Sequence, residues 1–221
     1  MTATCIHLLL SPSAALDVFR EMSARGRFGA VVEGRSPGGY GHELTQFHPE
    51  LKEVPLHFLD LVSHRWELRF WPVTRRCING QADQLLAGFC IWHPQVTFGK
   101  ETGWRHAVLP KDREPISRAI AGAAVPPSLL IDGGHEVVAL WPLKSPLDLG
   151  DLPPCAELLS SIARPLGGDI GAAEEPANVS IPIGGFVRNW GSEAPAVQVF
   201  EVNGGRVFAA ADLADAFGRE R

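Results

Sequence analysis

The sequence lacks three features that would narrow its function at once: a basic excess, a long apolar run and closely spaced cysteines. It has 221 residues with 20 Lys and Arg against 25 Asp and Glu, a formal net charge of −5. Nucleic-acid binding would therefore need a local basic face. The apolar residues 6–10 are too few to span a membrane and follow no basic segment, so neither a signal peptide nor a membrane helix is predicted. Cys5, Cys77, Cys90 and Cys155 form no CxxC motif, which predicts reduced thiols and a cytoplasmic location.

Common catalytic and phosphate-binding motifs are missing as well. The eight histidines form no HExxH motif and no His-Cys cluster with metal-ligand spacing, so we predict no metal site. There is no GxSxG nucleophile motif. The glycine-rich residues 34–41 match neither a P-loop nor a dinucleotide fingerprint, which favours a surface loop. Glu174 and Glu175 are neighbours that would point apart in an extended chain, so they predict a solvated loop and no acid pair.

What the sequence does contain is a hairpin pattern at residues 127–143. An apolar run at 129–131 is followed by the turn signal Asp132-Gly133-Gly134, and a second apolar run occupies 137–141. We predict two paired strands in the middle of a sheet, with His135 at the tip. This segment is the one most expected to face a functional site.

Apolar periodicity along the rest of the chain predicts an α+β fold, in which helices flank a mainly antiparallel or mixed central sheet. We expect one domain over residues 1–221, with an N-terminal subregion (1–60), a core sheet (61–208) and a C-terminal helix (209–221). The predicted helices are 15–24 after a Ser11-Pro12 cap, 49–62 interrupted by Pro55, 110–123, 152–166 and 210–217. The other predicted strands are 6–10 (or a lead-in to the first helix), 28–32, 66–73, 85–98 broken by Pro94, 108–109, 179–183, 197–202 and 206–208, the last two joined by a tight turn at 203–205.

Basic and aromatic residues alternate on and just after the predicted strand 66–73. Arginines can clamp phosphates and aromatic rings can stack on bases, so this segment is a candidate nucleic-acid surface. The alternative is a solvated strand face with tryptophans in the core, and the acidic neighbour Glu67 favours it. The residues concerned are Arg65, Trp66, Arg69, Trp71, Arg75 and Arg76.

The hairpin segment resembles part of the archaeo-eukaryotic primases, in the primase–polymerase branch carried by plasmids and phages. Members tend to run Pro-Ser, an apolar strand, a Gly-Gly turn and an apolar strand ending in Trp-x-Leu. The corresponding residues here are Pro127-Ser128, Ile131, Asp132-Gly133-Gly134 and Leu140-Trp141-Pro142-Leu143. Residues 66–76 are similar to the strand that ends in a nucleotide-facing basic residue, and 86–96 fall where the first acidic motif should be. Downstream, the resemblance rests on Leu166-Gly167-Gly168-Asp169, Val179 to Pro182, Gly184-Gly185 and Arg188-Asn189, so it covers about residues 60–205.

The chain departs from this family at the positions that carry its chemistry. The resemblance implies carboxylates that hold two divalent metals, but residues 91–96 contain no acid. Val138 stands three places before Trp141, where the family has a nucleotide-binding histidine, and Ser180 replaces an arginine. Asp169 matches the remaining acid. One carboxylate cannot build a two-metal site, because Mg²⁺ needs several well-placed oxygen ligands.

The resemblance implies a primase-like protein of a mobile element that binds DNA or a replication partner, and the departures predict that it does so without nucleotidyl transfer. The expected partners are single-stranded or primed DNA and a replication protein such as a helicase, with no membrane and no cofactor. An active primase that uses Asp132 with Asp169 or Glu174, and Mg²⁺ or Mn²⁺, remains open, as does an α+β protein-interaction domain. The candidate nucleotide-binding residues are Arg69, Arg75, Arg76, Gly133, Gly134, His135 and Arg188, and Asp132 and Asp169 are weak catalytic candidates.

Overall fold

A computed structural model of the chain describes residues 7–36, 41–47, 56–93, 97–99, 103–105, 110–134, 136–186, 196–202 and 205–218. Within them an antiparallel sheet of nine strands is flanked by helices, so the predicted α+β class is confirmed. The sheet contains β1 (His7–Leu9), β2 (Ala30–Arg35), β3 (His42–Phe47), β4 (Glu67–Arg75), β5 (Ala82–Trp92), β8 (Leu129–Asp132), β9 (Val137–Asp148), β10 (Ile181–Gly185) and β11 (Gln198–Val202). Strands β6 (Thr97–Gly99) and β7 (Gly103–Arg105) form a separate two-stranded sheet.

The helices of the described residues begin and end largely where apolar periodicity places them. Ser11 caps the first helix, since its side chain accepts a hydrogen bond from the Ala14 N–H, and Pro12 occupies the first turn. None of the helices in the described ranges is long and apolar enough to cross a membrane. The helices are α1 (Pro12–Ser23), α2 (Leu56–Ser63), α3 (Pro110–Ala121), α4 (Leu152–Leu166), α5 (Ile170–Glu174) and α6 (Ala210–Gly218), with single 3₁₀ turns at Leu149–Asp151 and Pro176–Asn178.

The core lies against β5 and β9, which pair over most of their length. Trp141 of β9 is fully buried, meets Phe217 of α6 edge-on with ring centroids 5.6 Å apart, and donates its indole N–H to the Val125 carbonyl at 3.0 Å. Gly88 of β5 faces α4, and an added Cβ there would lie 2.8 Å from Ile162. The helix α4 can therefore lie directly on β5.

The predicted hairpin is confirmed as β8 and β9, but the second predicted hairpin is wrong. Strand β11 pairs with β8 along one edge and with β1 along the other. No edge of β11 remains for residues 206–208, and Phe208 instead forms an isolated bridge with Leu143. The predicted loop 34–41 is also wrong at its start, because Gly34 and Arg35 belong to β2. The predicted strand 108–109 and residues 48–55 of the predicted second helix lie outside the described residues.

The sheet forks at β4. One edge of β4 pairs with β2 from Ala30 to Arg35. On the opposite edge, residues 73–75 pair with β5, whereas residues 67–70 pair with β10. Beyond this point β5 continues with β9 and leaves β4. The fork opens a groove between the end of β5 and the start of β10.

Candidate functional site

The groove at the fork is a cavity of about 360 Å³. Its walls come from β4, the end of β5, the residue before β9, α5, and the segment from the second 3₁₀ turn to the start of β10. The lining residues are Arg69, Ile91, His93, Glu136, Asp169, Gly171, Ala172, Glu175, Asn178, Val179 and Ser180. The groove therefore brings together two segments that the resemblance places at the site: the strand ending at residues 91–93, and Asp169.

Arg69 projects from β4 into a part of this groove that is largely shielded from solvent. Its Nη2 lies 2.6 Å from Glu136 Oε1 and its Nη1 lies 3.1 Å from Glu67 Oε1. Its Nε donates to Ser180 Oγ at 2.9 Å, and Nη2 also donates to the Ser180 carbonyl. The three charged side chains are only 11%, 8% and 3% exposed for Arg69, Glu136 and Glu67. The alternation of β4 predicted a solvated face for Glu67 and Arg69, and this was wrong because Glu136 and Ser180, which directly precede β9 and β10, enclose the Arg69 side chain.

The charged form of Arg69 is stabilised by its neighbouring carboxylates. Burial alone would lower the pKa of the guanidinium, but the nearby Glu136 and Glu67 carboxylates outweigh it, so the pKa is raised above its ordinary value. Arg69 is thus a permanent cation balanced by two carboxylates. Its predicted role in nucleotide binding stays a prediction, and its guanidinium is already engaged by the protein.

The turn that ends α4 places Asp169 beside the end of β5. Gly167 has a positive φ of +68°, and Gly168 donates its N–H to the Ala163 carbonyl at 2.9 Å, which closes the helix. A Cβ at Gly168 would lie 2.3 Å from Cys90 Sγ, so only glycine allows this approach to β5. The Asp169 N–H then donates to the Ile91 carbonyl at 2.8 Å.

The carboxylate of Asp169 has two protein partners. Its Oδ1 accepts a hydrogen bond from the Ala172 N–H at 3.2 Å and so caps α5. Its Oδ2 lies 3.1 Å from His93 Nε2. Asp169 also raises the pKa of the Cys90 thiol, although burial is the larger cause. His93 follows β5 at the place where the resemblance expects an acidic motif, and Pro94 lies outside the described residues.

Sequence reasoning missed two further groove carboxylates, Glu136 and Glu175. Glu136 precedes β9 and is buried, whereas Glu175 is exposed and its Oε2 accepts a hydrogen bond from Asn178 Nδ2 at 2.9 Å. The only available signal for Glu136 was its position directly after the glycine turn. The predicted solvated loop is wrong for Glu174, which ends α5, whereas Glu175 is exposed between α5 and the second 3₁₀ turn and lines the groove.

The glycines of the hairpin turn are explained by the conformation of the turn and by the close approach of β10. Asp132 Oδ1 accepts a hydrogen bond from the Gly134 N–H at 3.0 Å, and Gly134 has a φ of +74°. An added Cβ at Gly133 would lie 2.5 Å from Pro182 Cγ of β10. Asp132, Gly133 and Gly134 are not among the groove-lining residues, and His135 lies outside the described residues.

The remaining predicted arginines do not gather at the groove. Arg75 donates to the Gly80 carbonyl at 2.7 Å and the Ala177 carbonyl at 2.8 Å, and burial lowers its pKa. Arg76 is exposed, with its guanidinium carbon 5.5 Å from the centre of the Phe28 ring. Both stand at the far end of β4 from Arg69. Arg188 lies outside the described residues.

The groove does not fit a two-metal centre. In the described ranges, no three or more His, Cys, Asp and Glu side chains are grouped so as to hold a metal ion. Glu136 is engaged by Arg69, and Asp169 by His93 and the start of α5. A divalent ion would have to displace these partners.

Comparison with known proteins identifies the fold. No protein-family model and no curated protein sequence matches the chain. Among solved structures, the cyanophage S-2L primase–polymerase AEP domain is similar with a TM-score of 0.53 and 14% identity, covering 91% of this chain and 94% of that one. Primase RepB' is similar with a TM-score of 0.52 and 11% identity, over 93% of this chain and 62% of that one. The catalytic domain of primase RepB' in complex with initiator DNA has a TM-score of 0.51 and 11% identity, over 93% and 94% of the two chains.

The chain therefore has an archaeo-eukaryotic primase-like fold, as the resemblance at residues 60–205 predicted. The likeness extends over more than nine tenths of this chain. At 11–14% identity it concerns the fold, and the chemistry has to be argued from the groove itself.

Proposed function

We propose that the chain is a catalytically degenerate primase–polymerase-like protein that binds single-stranded or primed DNA without transferring nucleotides. The observation that carries this proposal is that the carboxylates of the groove are already paired with other side chains of the protein. The fork keeps a cavity where the family resemblance implies a nucleotide site, but each of the three carboxylates among its described lining residues already has a protein partner. These are Glu136 with Arg69, Asp169 with His93, and Glu175 with Asn178.

DNA binding is supported by the fold and by exposed cations. One structure with this fold holds initiator DNA, and a second comes from a phage. We extend both features to this chain as a proposal: a cytoplasmic protein of a mobile element that acts on DNA. A helicase or another replication protein is the expected protein partner.

The binding experiment uses a 5′-labelled single strand and a primer–template, followed by fluorescence anisotropy in EDTA at about 50 mM salt. We expect saturable binding that weakens as salt is raised, since each phosphate contact releases counterions. If neither DNA binds at low salt, the proposal fails. A protein-interaction domain would then be favoured, in agreement with the net charge of −5.

A second candidate, an active nucleotidyltransferase, is favoured by one observation: Glu136, Asp169 and Glu175 line the same cavity. The structure brings these acids together in place of the expected Asp132 and Glu174, which are absent from the lining residues. Primer extension with Mg²⁺ or Mn²⁺ separates the two candidates. Our proposal expects no elongated product from the wild type.

If extension is seen, Asp169→Asn identifies whether the groove carries it. Asparagine caps a helix about as well as aspartate, so this variant removes the charge and keeps the start of α5. Loss of extension with an unchanged melting temperature would establish the active enzyme and overturn our proposal of degeneracy.

A further inference from the structure

The groove offers little attraction to a phosphate. The one guanidinium among its described lining residues, Arg69, is balanced by Glu136 and Glu67, and Asp169 and Glu175 add further negative charge. A DNA backbone that approached the groove alone would meet more carboxylates than available cations. The cations that bind DNA must therefore lie elsewhere on the surface.

Exposed arginines gather where the α1–β2 connection meets the end of β4. The Arg75 N–H donates to the Gly29 carbonyl at 3.0 Å, and an added Cβ at Gly26 would lie 2.3 Å from Thr74. These contacts hold the connection that carries Arg25 and Arg27 against the end of β4 that carries Arg76. We call Arg25, Arg27, Phe28, Arg75 and Arg76 the arginine corner.

The arginines of the arginine corner differ in whether an acidic side chain neutralises their charge. Arg27 pairs with Asp83 at 3.3 Å and with Asp148, so its charge is compensated. Arg25 and Arg76 are exposed, and neither forms an ion pair with any described residue. Two exposed guanidinium groups with no ion-pair partner among the described residues are notable in a chain of net charge −5.

Aromatic rings lie beneath two arginines of the arginine corner, Arg75 and Arg76. The guanidinium carbon of Arg76 is 5.5 Å from the centre of the Phe28 ring, and that of Arg75 is 5.3 Å from the centre of the Trp71 ring. Cations over aromatic rings, on a surface that follows the backbone, are the combination that binds single strands without sequence preference.

The arginine corner is also connected to the groove. Arg69 and Arg75 are six residues apart on β4, which corresponds to about 20 Å along an extended strand. Arg75 donates to the Ala177 carbonyl, and the next residue, Asn178, lines the groove. A bound single strand can therefore run from the corner along the second 3₁₀ turn to the groove.

We propose that the arginine corner binds the sugar–phosphate backbone of single-stranded DNA, with Arg25 and Arg76 contacting phosphates. This inference rests on the proposed function and assigns its DNA contact to a surface outside the groove. The groove then receives the end of the strand and does not supply the affinity.

The test compares Arg25→Gln/Arg76→Gln with the wild-type chain, using labelled oligo-dT of about 20 nucleotides, longer than typical single-strand site sizes. Anisotropy is measured in EDTA over a range of salt concentrations. We expect the Kd at low salt to rise at least about tenfold, since two charged hydrogen-bonding contacts are lost. The slope of log K against log salt should fall by about 1.4, or about 0.7 for each single-strand phosphate contact.

Lys144→Gln/Arg164→Gln is the matched control. Both side chains are exposed, they lie on β9 and α4, and the pair changes the net charge by the same amount. We expect its Kd to stay within about twofold of the wild type, with an unchanged melting temperature. Arg25→Lys/Arg76→Lys should retain most of the salt slope, because lysine keeps the point charge.

Three results would overturn the inference. If the wild type binds and the arginine corner variant binds equally well, the contact surface is elsewhere, while the proposed function stands. If the control variant loses as much affinity as the corner variant, net charge and not the corner governs binding. A wild type that binds no DNA removes both the inference and the proposed function.

Discussion

Replacing Arg69 with methionine should destabilise the protein more than any other single change at the groove. The substitution leaves the Glu136 and Glu67 side chains, which are 8% and 3% exposed, without the cation that lies 2.6 and 3.1 Å away. Breaking a buried ion pair from one side costs about 3–5 kcal/mol. It also removes the two hydrogen bonds to Ser180.

The assay is urea unfolding followed by tryptophan fluorescence. Domains are typically stable by about 5–15 kcal/mol, so the expected loss is a large fraction of the total. At about 2–4 °C for each kcal/mol in a chain of this size, the melting temperature should fall by about 6–20 °C.

A control variant separates loss of charge balance from loss of packing. Glu67→Met/Arg69→Met/Glu136→Met replaces the whole buried cluster by apolar side chains, a change that is often neutral or stabilising. We expect it to recover most of the stability that Arg69→Met loses. If Arg69→Met costs less than about 1 kcal/mol, or if the triple variant is as unstable as the single one, the ion cluster is not the connection between β4, β9 and β10 that we describe.

Two further predictions concern a glycine and the thiols. Gly185→Ala should lower the free energy of unfolding by more than about 3 kcal/mol, because φ is +80° and the new Cβ would lie 1.8 Å from a backbone oxygen. Gly150→Ala is the control: an added Cβ there has nothing within 4 Å, so the free energy of unfolding should change by less than about 0.5 kcal/mol. Equal melting temperatures for the two variants would contradict the fork geometry. In a Cys5→Ser/Cys77→Ser variant at about pH 8, the two remaining thiols should react with a disulfide reagent only after denaturant is added, since burial raises the pKa of Cys90 and keeps it protonated. Rapid labelling of the folded variant would contradict the burial of Cys90 in β5 or of Cys155 in α4.

The parts of the fold with a strong local pattern could be predicted from the sequence. Helix α4 has the predicted bounds because leucine and isoleucine recur at helical spacing and Gly167 follows directly. The β8–β9 hairpin was also found, since a turn signal separates two apolar runs. The partner of β11 could not be found this way, because local signals do not say that β1, from the other end of the chain, takes the free edge.

The sequence pointed to two segments of the groove, but the described residues of the hairpin turn, which was most expected to face a site, do not line it. Asp169 and residues 91–93 were expected together and do meet, through the hydrogen bond from Asp169 to Ile91. The burial of Glu67 and the ion pair of Glu136 could not be read from alternation, because both depend on β10 entering the fork beside β4. A pattern of period two shows which residues share a face and not whether another strand covers it.

The most direct test of our account combines binding and chemistry in one sample. A 5′-labelled primer–template is titrated with the protein in EDTA until anisotropy shows a complex, and excess Mn²⁺ and nucleotides are then added before a denaturing gel. We predict a salt-sensitive complex whose primer keeps its original length. Longer primers would contradict the loss of nucleotidyl transfer, and the absence of any complex at low salt would contradict DNA binding.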